Sequence, residues 1–139
     1  MNTVVVGLHA TVTAVVTEAD TATALGSGDV PVLGTPRLLA LAEAASVAAV
    51  APHLGPGQTT VGTAIAVEHR RPSPLGSSVE VQAELTEVDD RRLGFMFIAY
   101  RPGEGEGERE SEGVVIGAGT IERVLVDRDR FIAQAGPPA

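Results

Sequence analysis

Between Leu38 and Val50 only two side chains are polar, Glu43 and Ser46, in a run otherwise built from leucine, alanine and valine. Alanine and leucine favour a helix, and a helix that is apolar nearly all round has to be enclosed by other structure. Thr35 offers an N-cap and Pro36 a first helical residue whose missing N–H costs little. Pro52 marks the stop. The run is too short to cross a bilayer, so other protein structure is expected to wrap it.

The flanks supply it as strands. From Val4 to Val16, Leu8, Ala10, Val12, Ala14 and Val16 alternate with His9, Thr11, Thr13 and Val15, the period of a strand with one buried face. The stretch 17–34, rich in threonine, glycine and acids, reads as a loop carrying at most a short helical turn. After the helix, Val61, Thr63, Ile65, Val67 and His69 share one side of a strand that ends in Pro72, Pro74 and Gly76. Val79, Val81, Ala83 and Leu85 point inward on the next strand, and "DDRR" turns it into "LGFMFIAY" as a hairpin. A last strand follows over "GVVIGAGTIERVLV". The order predicts an α+β domain in which a curved antiparallel sheet wraps one central helix.

At 139 residues the chain forms one domain, 1–139. Residues 102–112, glycine and glutamate, read as a mobile acidic loop, and 128–139 as a polar tail. A net charge of −8 argues against nucleic acid or an anionic membrane surface as partner. Cysteine is absent, which excludes disulfides and thiolate chemistry, and no metal site is expected. With no basic leader and no long apolar run, a soluble cytoplasmic protein is expected.

Three side chains carry candidate chemistry. His69 lies in register with inward residues beside an irregular strand end, which suits either a core histidine satisfied by backbone or an imidazole at an open site. Glu43 either reaches water at the helix edge or, if buried among neighbours that offer no cation, has a raised pKa and serves as base, nucleophile or partner for histidine. Thr35 is either a plain cap or a hydroxyl near the positive helix end, where a developing oxyanion would take its contacts from the N–H groups of Arg37 or Leu38 or from elsewhere. Gly62 is either a bulge or a place of close ligand approach. Thr35 and Glu43 lie eight residues apart, a rise of roughly 12 Å and a rotation of about 80° along a helix.

The segments "TP.LLALAE.A", "AP.L.PG", "VGTAI.V.H...P.P.G..V.V.AEL..V..RRL" and "G.GT.ER", over roughly residues 30 to 127, resemble the fluoroacetyl-CoA thioesterase family of the hot-dog fold. That resemblance implies a hot-dog domain and an acyl-CoA thioesterase, with Thr35, Glu43, His69 and Gly62 at the family's functional spacing. It implies that Glu43 attacks the thioester or activates water, that His69 handles the proton and that Thr35 orients. It further implies a homodimer with active sites at the subunit interface. No cofactor is implied, coenzyme A being part of the substrate.

Three departures bear on the substrate. The segment before the helix, "GSGDVPVLG", lacks the family's aromatic lid; Ala44 stands where the relative has a bulky aromatic; Ile121 stands for a histidine beside Glu122 and Arg123. A more open pocket and weak fluoroacetyl specificity follow, while Glu122 and Arg123 acquire no role. Arg70 and Arg71, and less strongly Arg37, are candidates for the coenzyme A phosphates or simple solubilising charges. A noncatalytic acyl-CoA binding module is the alternative function. A hydratase is disfavoured because His53 has no aspartate nearby.

Overall fold

Helix α2 spans Thr35–Val50 and lies across one five-stranded antiparallel sheet of order β1-β3-β4-β5-β2 in a computed structural model describing residues 3–103 and 113–138. The strands are β1 (His9–Val15), β2 (Gln58–His69), β3 (Ser78–Asp89), β4 (Arg92–Arg101) and β5 (Val114–Asp127). Leu38, Leu41, Ala42, Ala45, Ala49 and Val50 of α2 meet Val79, Val81, Ala83, Leu85, Leu93, Phe95 and Phe97 in one core. Burial of this apolar surface is the main force holding helix to sheet. Ser46, also buried, satisfies its hydroxyl by donating to the Glu43 carbonyl at 2.7 Å.

The helix is enclosed on one side only. Ala40, Ala44, Val47 and Ala48 face outward and are exposed, so the described residues of this chain wrap the helix only in part. Its N-cap also differs: Gly34, in extended conformation, caps α2, and Thr35 is the first helical residue. The Gly34 carbonyl accepts from the N–H groups of both Arg37 and Leu38. A side chain at Gly34 would press to 3.0 Å on the Ala22 backbone, so close packing places glycine at the cap and leaves the Thr35 hydroxyl free for another partner.

A β-bulge corrects the simple alternation of β2. Its pairing with β5 shifts register between Gly62 and Ala64, so Thr60 and Gly62 face the helix before the bulge and Ile65, Val67 and His69 face it after. Thr63, expected inward, is exposed and bonds Glu122 outside. At the other end of the chain the expected polar tail is in part helix α3, Arg128–Gln134, because the Asp127 carboxylate caps it by accepting from the Arg130 N–H. Before α2, a 3-10 turn (Glu18–Asp20) and the short helix α1 (Ala22–Leu25) form the connection. Of the expected acidic loop, residues 104–112 lie outside the described residues. No described helix is long and apolar enough to cross a membrane.

Candidate active site

His69 ends β2 because Arg70 and Arg71 turn away, both N–H groups donating to the Ile116 carbonyl. Its Nδ1 lies 2.8 Å from Thr35 Oγ1, which joins the end of the strand to the start of α2. Its Nε2 is buried and has no hydrogen-bond partner among the described residues. Burial lowers the His69 pKa from its ordinary value, and the Arg71 backbone, without a bond of standard geometry, opposes the shift. When Nδ1–H donates to Thr35 Oγ1, Nε2 carries a free lone pair and can take a proton.

Glu43 stands at the other end of this surface, and its neighbourhood is not the cation-free one expected from the helix sequence. Arg123 of β5 reaches across and donates from Nη1 to Glu43 Oε2 at 3.0 Å. The guanidinium is itself fixed, Nε donating to Thr60 Oγ1 at 2.8 Å and Nη2 to the Thr60 carbonyl at 3.0 Å. The Arg123 side chain is 7% exposed and that of Glu43 34%. A buried cation thus points one carboxylate toward an open surface, a device for holding a nucleophile or base in one orientation.

Gly62 completes this second group. A Cβ built there would collide with Glu43 Oε2 and lie 3.2 Å from Arg123 Nη1. Both readings of Gly62 are therefore found together, since it flanks the bulge and keeps the space before the carboxylate clear. Arg123, which sequence reasoning left without a role, is the residue that orients Glu43.

Within one chain these are two groups, not one. Thr35 and His69 form the first; Glu43, Arg123, Thr60 and Gly62 form the second. Eight helical residues, or roughly 12 Å of rise, separate Thr35 from Glu43, and seven strand residues, or roughly 23 Å, separate Gly62 from His69.

The Thr35 and His69 pair opens on a cleft of about 280 Å³ walled by Val30, Val32 and Leu33 on one side and Arg70, Arg71 and Pro72 on the other. An isolated bridge between Val32 and Pro74 ties the two walls. Of the three arginines proposed for phosphate, Arg37 pairs with Asp20 at 3.0 Å and Arg70 with Glu68 at 2.7 Å. The Thr17 backbone N–H, with Arg37 adding, holds Asp20 below the usual carboxylate value. Arg71 is exposed and has no ion pair among the described residues. The N–H groups of Arg37 and Leu38 are occupied by Gly34, which leaves the other alternative, oxyanion donors from elsewhere. No group of metal-ligating side chains occurs among the described residues.

Residues 16–129 match the family described as FlK, Fluoroacetyl-CoA-specific thioesterase. A fluoroacetyl-CoA thioesterase of Streptantibioticus cattleyicolor is 39% identical over 103 residues, covering 74% of this chain and 67% of that protein. The crystal structure of a single-residue mutant of the fluoroacetyl-CoA-specific thioesterase FlK superposes with a TM-score of 0.81 at 32% identity, covering 97% of each chain. A thioesterase superfamily member from Thermus thermophilus shares the fold, with a TM-score of 0.83 at 24% identity over 97% of this chain and 93% of that one.

Proposed function

Because the chain belongs to the fluoroacetyl-CoA-specific thioesterase family, we propose that it hydrolyses the thioester of a small acyl-CoA to the free acid and coenzyme A. The observation that carries this reading is the Glu43 carboxylate, aimed by a buried arginine into the space that Gly62 leaves clear. Glu43 attacks the thioester carbonyl or takes a proton from an attacking water. In the general-base route the proton that Glu43 takes from water passes through His69 to the departing sulfur as the carbon–sulfur bond breaks. In the covalent route the thiolate leaves Glu43 acylated, and a water that gives its proton to His69, and through it to the thiolate, hydrolyses the anhydride. Thr35 fixes the imidazole through Nδ1. The burial that lowers the His69 pKa keeps the ring neutral near pH 7, ready to accept a proton before giving it up.

A homodimer with two equivalent sites brings the two groups together, Glu43 from one protomer meeting His69 of its partner. Two features support this assembly. The outward side of α2 is apolar at Ala40, Ala44, Val47 and Ala48, and β2 is an edge strand of twelve residues that pairs with no strand on its outer side among the described residues. The wall of the cleft carries Val30, Val32 and Leu33 and, among the described residues that line it, no aromatic ring, which supports acyl groups larger than fluoroacetyl. Coenzyme A enters only as part of the substrate, and such a substrate belongs to the cytoplasm.

The test is release of free thiol from a panel running from acetyl- and fluoroacetyl-CoA to phenylacetyl- and medium-chain acyl-CoA. Glu43→Gln and His69→Ala should each abolish release from whichever substrate the native protein cleaves. Native protein that binds acyl-CoA yet releases no thiol from any of them is a binding module.

A further inference from the structure

An unused concavity lies at the opposite end of β2 from His69. It is a cavity of about 350 Å³ where α3 passes over Gln58, with Arg91 of the β3–β4 turn on one side and Arg130 and Phe131 of α3 on the other. In a chain of net charge −8, Arg91 and Arg130 are ion-paired with no acid among the described residues, although Arg37, Arg70, Arg92 and Arg123 all are. The nearby Asp127 carboxylate accepts from the Arg130 backbone N–H through Oδ1. Phe131, 41% exposed, presents an aromatic ring at the same opening. Two unpaired guanidinium forks beside an accessible ring suit phosphates attached to a planar base.

Position adds a second argument. Gln58 precedes Gly62 by four strand residues, roughly 13 Å, and Gly62 faces Glu43. From its sulfur to its phosphate-bearing oxygen, the pantetheine arm of coenzyme A has about twelve bonds, as many as roughly four extended residues. A thioester held at Glu43 therefore places its first phosphate within reach of this cavity.

We propose that the cavity between Arg91, Arg130, Phe131 and Gln58 binds the adenosine phosphate end of the acyl-CoA substrate, an inference that rests on the thioesterase reading. The arginines at the His69 end serve it less well, since Arg37 and Arg70 already hold carboxylates.

The test compares an acyl-CoA with the acyl-pantetheine that carries the same acyl group and arm but no nucleotide. Replacing Arg91→Gln and Arg130→Gln together should reduce the preference for acyl-CoA, as a ratio of kcat/KM values, by about 10²-fold, near tenfold for each charge-assisted contact. Arg→Lys at both positions should restore part of it, by returning charge without the fork. Calorimetric binding of adenosine 3′,5′-bisphosphate to the native protein, lost in the Gln variant, supports the site without any turnover. It therefore remains decisive if no acyl-CoA is cleaved and the thioesterase reading falls. An unchanged preference and unchanged bisphosphate binding in the Gln variant, with both lost in Arg70→Gln/Arg71→Gln, would overturn the proposal.

Discussion

Gly62→Ala should disable the protein without unfolding it. The backbone of Gly62 is not among the glycines of positive φ, so alanine meets no conformational penalty there. The added methyl nevertheless occupies the place of Glu43 Oε2, and the carboxylate must retreat by about 1 Å to a normal contact. Glu43 can do so at small cost because its side chain is 34% exposed and has open space beside it, so stability should fall by no more than ~1 kcal/mol. Catalysis depends on where the oxygen sits, and a displacement of this size costs on the order of 10²-fold in kcat, or ~2.7 kcal/mol of barrier. Thiol release measured beside urea denaturation separates the two quantities. Native turnover in a fully folded Gly62→Ala protein would refute the role given to the Glu43 carboxylate.

Arg123→Met should cost about 2–3 kcal/mol of stability and most of the activity, because it removes three hydrogen bonds and leaves Glu43 without its partner. Combined with Glu43→Gln, its stability loss in urea should fall short of the sum of the single losses by about 1 kcal/mol, the coupling expected of a direct pair. The acid limb of the kcat/KM profile should lie below 6.5, the ordinary imidazole value, because burial lowers the His69 pKa. Since the folded pKa of His69 is depressed, its contribution to stability is complete above that ordinary value and is lost as the pH falls through the folded pKa. Val30→Phe should narrow the cleft and lower turnover of the bulkier acyl-CoAs about tenfold relative to acetyl-CoA, read from the same substrate panel.

Local patterns were legible in the sequence wherever one period ran unbroken. The β3–β4 hairpin follows from inward Val79, Val81, Ala83 and Leu85, and α2 spans the residues its composition suggests. The cap was displaced by one position because glycine and threonine both serve there, and only the packing of Gly34 on Ala22 decides between them. A bulge at Gly62 was one of two open readings, because a lone glycine in a strand does not say whether register shifts. Arg123 was missed for a different reason: its contact with Glu43 spans 80 residues, a separation over which no periodicity speaks. A signal did exist. Arg123 falls in phase with the inward Ile121 and Leu125, and an arginine on an apolar face needs a buried partner.

Catalysis as proposed requires an active site shared by two protomers, and subunit mixing tests that directly. Glu43→Gln and His69→Ala chains, each inactive alone, are unfolded together, refolded and assayed for thiol release from the preferred acyl-CoA. If Glu43 of one chain works with His69 of its partner, half the dimers are mixed and each carries one intact site, so about a quarter of native activity should return. Mixed dimers that form, as shown by a tag on one chain, yet remain inactive would contradict the shared site.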